Sequence, residues 1–209
     1  MPTARESLLN AALAALADLP WSGVRMVDVA SVAGVSRQTL YNEFGSKDGL
    51  ARALVRREAD RYLHGVERVL AERTPAAERL VAVAEWTVEE ARAKPLLRAL
   101  LTGCWGERLP VPKPARRGAA MSGVPAQRRA DVGLPAPAEL VAAVRDRSIA
   151  ALDPGRHDGR AKEEWADLAH RCELAVRLAL SYVSAPVGEE LGVLVRAAVS
   201  ATSPRAADR

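Results

Sequence analysis

The hydrophobic residues of this chain recur at helical spacing along most of its length. In the first segment they form the stripe Leu8, Leu9, Ala12, Leu13, Leu16 and Leu19. Residues three and four positions apart lie on one face of a helix, so the stripe predicts an amphipathic helix. Gly or Ser residues interrupt the pattern at 22–23, 34 and 45–46. We therefore predict three short helices, followed by a fourth that runs from Lys47 to about Glu72.

The remainder of the chain continues this pattern with one long interruption. Further helices are predicted at about 75–93, 95–105, 138–152, 161–184 and 187–201. Residues 106–136 are rich in Pro, Gly, Ala and Arg and lack apolar periodicity, which predicts a flexible basic loop that is either functional or disordered. Residues 202–209 are a polar tail that is expected to fray. No segment shows a convincing strand pattern, so the predicted fold class is all-α.

The composition agrees with a helical globular protein. The chain is 49% hydrophobic but only 4% aromatic, and Ala and Leu favour helices over strands. The two cysteines, Cys104 and Cys172, are too few for a disulfide framework and are expected to be buried thiols in apolar settings. No apolar run is long enough to span a membrane, and no signal segment precedes the first helix, so we expect a cytoplasmic protein.

The net charge of +4 does not by itself indicate DNA binding, because the excess lies in one place. Between Gly106 and Pro135 there are six basic and two acidic residues, which account for the whole excess. Residues 1–50 carry four basic and five acidic residues and are nearly neutral. A DNA-binding function must therefore be argued from pattern.

Two short helices joined at Gly34 form the clearest functional pattern. Their apolar residues are expected to face inward: Val27, Val29, Ala30, Ala33, Val35 and Leu40. Ala30 and Gly34 are small, which permits close packing and a sharp turn. The outer face of the second helix then carries Arg37, Gln38, Thr39, Tyr41 and Asn42.

These outward side chains suit the recognition of base edges. Arg pairs with guanine, Gln with adenine, and the Thr methyl group contacts the thymine methyl group. Ser36 can cap the second helix, whose first N–H groups favour a phosphate. Tyr41 and Lys47 can reach phosphates, which position a protein without specifying sequence. Taken alone, the pattern is also compatible with a packed helical hairpin that does not bind DNA.

The spacing continues beyond the hairpin. Following an Ala- and Leu-rich first helix come Ala33-Gly34-Val35-Ser36, Thr39-Leu40-Tyr41, Phe44, Ser46-Lys47 and Leu50. Over about residues 8–54 this set resembles the TetR family of bacterial transcriptional regulators. The resemblance implies a three-helix helix-turn-helix DNA-binding domain at 1–48. It also implies a C-terminal helical domain at 49–201 that binds a ligand and dimerises.

The resemblance further implies a homodimeric repressor that binds a palindromic double-stranded DNA operator and responds to a small apolar effector. The last two helices, at about 161–184 and 187–201, would pair across the dimer. Their small and apolar residues suit such an interface and would equally suit an internal core: Leu168, Cys172, Ala175, Ala179, Tyr182 and Val183, then Leu191, Leu194, Val195, Ala198 and Val199. The alternative is a regulator whose C-terminal domain responds to a protein partner.

The chain departs from the family pattern at Arg25 and at Asn42 and Glu43, which stand where the family commonly has an aromatic residue or His. Arg25 stands where the family commonly has Thr, so it can contact phosphate but caps the helix poorly. Glu43 is not expected to contact DNA, because phosphates repel a carboxylate. The residues predicted to bind DNA are Arg25, Ser36, Arg37, Gln38, Thr39, Tyr41, Asn42 and Lys47.

The C-terminal part offers a candidate ligand pocket but no catalytic constellation. Its large or soft apolar residues either line a pocket or pack in an ordinary core: Trp86, Leu101, Cys104, Trp105, Trp165 and Cys172. His64, His157 and His170 share no metal-ligand spacing with Cys or acidic residues, so no metal site is expected. The chain contains no phosphate-binding loop or nucleophile elbow. We therefore expect neither a cofactor nor enzymatic activity.

Overall fold

The computed structural model of the protein describes residues 3–111, 135–153, 162–185 and 190–200. In these ranges the regular structure is helical. The helices are α1 (Ala4–Asp18), α2 (Met26–Val32), α3 (Arg37–Phe44), α4 (Lys47–Leu70), α5 (Ala76–Ala93), α6 (Pro95–Thr102), α7 (Pro137–Leu152), α8 (Lys162–Ser184) and α9 (Leu191–Ser200), with a 3-10 turn at Trp21–Gly23. None of these helices is long and apolar enough to cross a membrane.

The chain divides into two compact units, and the division falls between Ala59 and Asp60. The first unit contains residues 1–59 and 104–135, and the second contains 60–103 and 136–209. The division lies inside α4, and so does the boundary that the sequence predicted at 48/49, which falls in the first turn of this helix and stays a prediction. The first half of α4 is joined to α1 of the first unit by Arg57, which donates hydrogen bonds to the Leu9 backbone carbonyl and the Asn10 side chain.

In the first unit, α1, α2 and α3 pack against one another. Their buried apolar side chains are Leu8, Leu9, Ala11, Ala12, Val29, Ala30, Leu40 and Phe44. The expectation that Val27 faces inward is wrong, because its side chain is 37% exposed. Helix α2 has seven residues. It buries only Val29 and Ala30, which leaves Val27 outside the buried face.

In the second unit, α5 packs against α8 and α9, and α8 also contacts α6 and α7. The small-residue stripe of α8 lies in this interior, with Cys172, Ala175, Val176, Ala179, Tyr182 and Val183 buried. Helix α9 likewise buries Leu191, Val195 and Val199. Of the two uses that the sequence left open for these stripes, most of their residues therefore serve the internal core.

Helix α6 ends earlier than predicted, at Thr102 instead of Trp105. Gly103 follows in the left-handed conformation at φ 73°, which a glycine adopts without strain. Cys104 therefore lies beyond the helix and is exposed, so the expectation that it is a buried thiol is wrong. Cys172 is buried as predicted, and burial raises the pKa of its thiol to about 12.

Most of the predicted basic loop, residues 112–134, lies outside the described residues, as does the tail at 202–209. The beginning of that loop differs from the prediction. Residues 104–111 belong to the first unit, where the Trp21 N–H donates a hydrogen bond to the Arg108 carbonyl at 2.8 Å. Pro110 is buried, so the beginning of the predicted loop includes a side chain that is covered by the rest of the protein, while its flexibility stays a prediction.

Candidate nucleic-acid interface

The turn between α2 and α3 is closed by backbone hydrogen bonds. The Val35 N–H donates to the Ala30 carbonyl and the Gly34 N–H to the Ser31 carbonyl, both at 3.1 Å. This pair of bonds is the Schellman arrangement that ends many helices. It requires a left-handed residue, and Gly34 supplies it at φ 69°. The turn therefore fixes the direction in which α3 begins.

Helix α3 is capped by Ser36, as predicted. The Ser36 hydroxyl accepts a hydrogen bond from the Thr39 N–H at 3.0 Å and lies 2.9 Å from the Thr39 hydroxyl. A serine cap stabilises a helix by about 1 kcal/mol. Leu40 and Phe44, which are 0% and 2% exposed, attach the inner face of the helix to the core of the unit.

The outer face of α3 carries the predicted base-reading residues. Arg37, Gln38, Tyr41 and Asn42 are exposed, and Thr39 is half-buried beside its cap. The side-chain amide nitrogen of Gln38 donates a hydrogen bond to the side-chain oxygen Oδ1 of Asn42, one helical turn away, at 2.9 Å. This bond holds the two amides side by side and leaves further donors and acceptors on both. The face can thus offer paired hydrogen-bonding groups to base edges.

Arg25 and Lys47 flank this helix with positive charge. Arg25 is the exposed N-cap residue of α2 and makes no side-chain capping bond, as expected of an arginine there. The Lys47 ammonium donates to the Ser22 carbonyl at 3.2 Å and lies 5.2 Å from the centre of the Trp21 ring. Partial burial lowers the pKa of Lys47, and Asp48 opposes that shift. Lys47 therefore fixes the 3-10 turn in addition to its predicted phosphate contact.

Glu43 is held by a residue that sequence analysis did not single out. The Arg5 guanidinium of α1 pairs with the Glu43 carboxylate at 3.3 Å and lies 4.7 Å from the centre of the Phe44 ring. This pairing partly neutralises the acidic side chain that was judged unsuited to DNA. The two partners are 38 positions apart, so no local sequence pattern could have connected them.

The residues predicted for a ligand pocket are distributed over both units. Cys104 and Trp105 belong to the first unit, and the other four belong to the second. Trp86 is half-buried and stacks on Tyr62, with ring centres 5.6 Å apart. Leu101 and Cys172 are buried, whereas Trp165 is 52% exposed. The pocket composed of these residues stays a prediction.

The second unit contains a groove of about 780 Å³ along α5, α8 and α9. It is lined by Glu85, Val88, Glu89, Arg92, Ala93, Tyr182, Glu190 and Leu191. None of the predicted pocket residues lines this groove. Its lining combines carboxylates with apolar side chains, so it differs from the apolar pocket that the sequence analysis expected.

The fold and the exposed face of α3 define a class of protein: an all-helical protein with an N-terminal helix-turn-helix. Comparisons with known proteins agree. Residues 8–54 match the family model for bacterial regulatory proteins of the tetR family. The transcriptional regulator AlkX of Mycobacterium tuberculosis is 41% identical over 100 residues, which are 47% of each chain. The match thus spans about half the length of that relative.

Solved structures show the same fold over nearly the whole chain. The TetR family repressor AlkX from a Dietzia strain has a TM-score of 0.53 and 19% identity, covering 93% of both chains. A tetR-family regulator from Streptomyces coelicolor has a TM-score of 0.52 and 19% identity, covering 95% of this chain and 79% of the other. Residues 8–54 therefore match the tetR family in sequence, in agreement with the resemblance that the helix-turn-helix indicated.

Proposed function

We propose that the protein is a sequence-specific transcriptional repressor that binds a palindromic operator as a homodimer and releases it when a small ligand binds. The observation that carries the proposal is α3: Leu40 and Phe44 fix one face, while Arg37, Gln38 and Asn42 stand exposed on the other. A helix held this firmly, with base-reading side chains outward, suits the major groove. The protein acts by binding rather than by catalysis, and it acts in the cytoplasm.

Two copies of α3 must reach half-sites about one helical turn apart or a multiple of it, which requires a dimer. Apolar side chains remain on the surface of the last two helices, where Trp165 is 52% and Val193 is 48% exposed. We propose that these residues, rather than the buried stripes, lie in the contact between the two protomers. A Trp165→Glu variant should dissociate at protein concentrations where the unchanged protein sediments as a dimer.

The effector is proposed to be a long-chain apolar molecule. One similar structure supports this choice, because the AlkX repressor from Dietzia is implicated in the biodegradation of n-alkanes. The effector would bind in the second unit and act only through a higher affinity for the state that does not bind DNA. Hexadecane, hexadecanol and palmitate are suitable probes, since they share chain length and differ in the head group.

The DNA-binding part is tested by selection from a random duplex library. The unchanged protein should enrich a palindrome, whereas Gln38→Ala should bind it with a loss of about 1–3 kcal/mol and with relaxed preference at one position. Lys47→Ala should weaken specific and random DNA alike. Arg61→Ala, which removes one exposed charge in the second unit, is the matched control. No enrichment by the unchanged protein contradicts the proposal.

The effector is tested on the selected palindrome by titration with each probe. At saturation an inducer should lower the affinity for the palindrome at least about tenfold, which corresponds to about 1.4 kcal/mol of coupling. Unchanged affinity with all three probes contradicts the proposed chemical class. DNA binding itself would remain established by the selection experiment.

A further inference from the structure

The segment 104–111, which we name the strap, follows α6 in sequence but belongs to the first unit. Its turn is closed by the Leu109 N–H, which donates to the Gly106 carbonyl at 3.0 Å. The Trp21 N–H donates to the Arg108 carbonyl at 2.8 Å, and the Arg108 guanidinium donates to the Asp18 carbonyl at 3.3 Å. The side chain of Arg108 thus contacts the last residue of α1, and its backbone contacts the 3-10 turn that follows.

The strap supplies a positive charge at the C-terminal end of α1. The last turn of α1 contains no basic residue and ends in Asp18. Free carbonyl groups at a helix C-terminus carry partial negative charge and favour a cation. Arg108 brings that cation from 90 positions away in the sequence, to the carbonyl of Asp18 itself.

The strap also touches the edge of the DNA-binding surface. The backbone N–H of Trp21 donates to Arg108, and the ring of the same residue lies with its centre 5.2 Å from the Lys47 ammonium. Lys47 donates to the carbonyl of the next residue, Ser22. The turn at Trp21–Gly23 is therefore fixed by the strap and by Lys47 together, and a shift of the strap would shift Lys47.

We propose that the strap completes the DNA-binding unit and that Arg108 is a positioning residue for the phosphate contact of Lys47. The positioning role rests on the proposed DNA-binding function. The strap begins directly after Gly103, the last residue of the α6 part of the second unit.

The test compares Arg108→Ala with Arg98→Ala in the full chain. Both variants remove one positive charge from an exposed arginine, but Arg98 lies on α6 in the second unit. Amide hydrogen exchange of the peptide that covers residues 18–24 should be several-fold faster in Arg108→Ala and unchanged in Arg98→Ala, because local opening sets exchange. Arg108→Lys keeps one donor and the charge, and should recover part of the protection.

The second measurement is affinity for the palindrome selected by the unchanged protein. Arg108→Ala should bind about three- to tenfold more weakly than Arg98→Ala, the loss expected for one hydrogen bond. Equal exchange rates in the two variants would overturn the proposal that the strap completes the DNA-binding unit. Faster exchange with equal DNA affinity overturns the positioning role. If the unchanged protein selects no sequence, the proposed function fails, while the exchange comparison still decides whether the strap holds the unit.

Discussion

One set of polar side chains in each unit shows a contrast in exposure. In the first unit, Arg37, Gln38 and Asn42 of α3 are exposed although the helix is firmly packed. In the second, the hydroxyls of Tyr62 and Thr87 share a hydrogen bond at 3.0 Å in the interior. Polar groups on a fixed outer face have capacity for a partner, whereas the buried pair satisfies itself. The difference explains why the function of the first unit is visible locally and that of the second is not.

The two units also differ in what holds their helices. Helices α2 and α3 have seven and eight residues, too few to be stable alone, so they depend on the Gly34 turn, the Ser36 cap and the ion pair of Arg5. Helices α5 and α8 have 18 and 23 residues and interlock through apolar stripes. We therefore expect both units to depend on their buried apolar side chains, and the first unit to depend in addition on its turn, its cap and its ion pair.

The largest effect should follow from truncating a buried side chain on the inner face of α3. Leu40 is 0% exposed, so Leu40→Ala should cost about 2–5 kcal/mol and remove DNA binding by loosening α3. The matched control is Leu97→Ala on α6, which is equally buried but lies in the second unit. It should destabilise comparably in thermal unfolding and retain most DNA affinity at low temperature. Equal losses of DNA affinity would contradict the separate roles of the units.

A volume increase in the second unit should have the next largest effect. A Cβ atom added at Gly65 of α4 would lie 2.2 Å from the Trp86 ring of α5. Gly65→Ala should therefore cost about 1–3 kcal/mol in denaturant unfolding. In a Trp86→Ala background the same change should cost much less, since the clash is gone. If the cost is the same in both backgrounds, the close contact of α4 and α5 does not explain it.

Alkaline pH should destabilise the protein through the buried Tyr62–Thr87 pair of the second unit. Burial raises the pKa of Tyr62 to about 12, and its hydrogen bond with Thr87 opposes the shift. In the unfolded chain the hydroxyl ionises near pH 10, so ionisation favours unfolding. This contribution to stability is complete below about pH 10 and is lost as the pH rises toward 12. In urea unfolding, Tyr62→Phe should lose stability less steeply over that range, and an identical pH dependence would contradict the assignment.

The smallest effect should come from the half-exposed pair that holds α3 from outside. Arg5→Ala leaves Glu43 unpaired near the DNA-binding face and should weaken DNA affinity, with a stability cost of about 1 kcal/mol or less. Glu43→Gln should not weaken it, because the change removes a negative charge. In the double variant the affinity should largely recover, and the recovery should shrink at high salt. Additive losses would mean that charge compensation at Glu43 is not the role of Arg5.

How far the sequence predicts this protein depends on the distance between interacting residues. The stripe of α1, the turn at Gly34 and the Ser36 cap arise from residues at most a few positions apart, and each was predicted. Val27 and Cys104 were misplaced because their exposure depends on which neighbours happen to cover them. Helical periodicity identifies an apolar face but not what lies against it.

The helical fold, the helix-turn-helix and its outward side chains can be predicted from the sequence, because spacing, caps and helix breakers act over a few positions. Three features become visible only in the tertiary structure. Arg5 forms an ion pair with Glu43, Arg108 donates a hydrogen bond to the last carbonyl of α1, and the stripes of α8 and α9 lie largely in the core of the second unit. The physical reason is that these contacts join residues dozens of positions apart. Such contacts depend on how the helices pack against one another, which the periodicity along the chain does not specify.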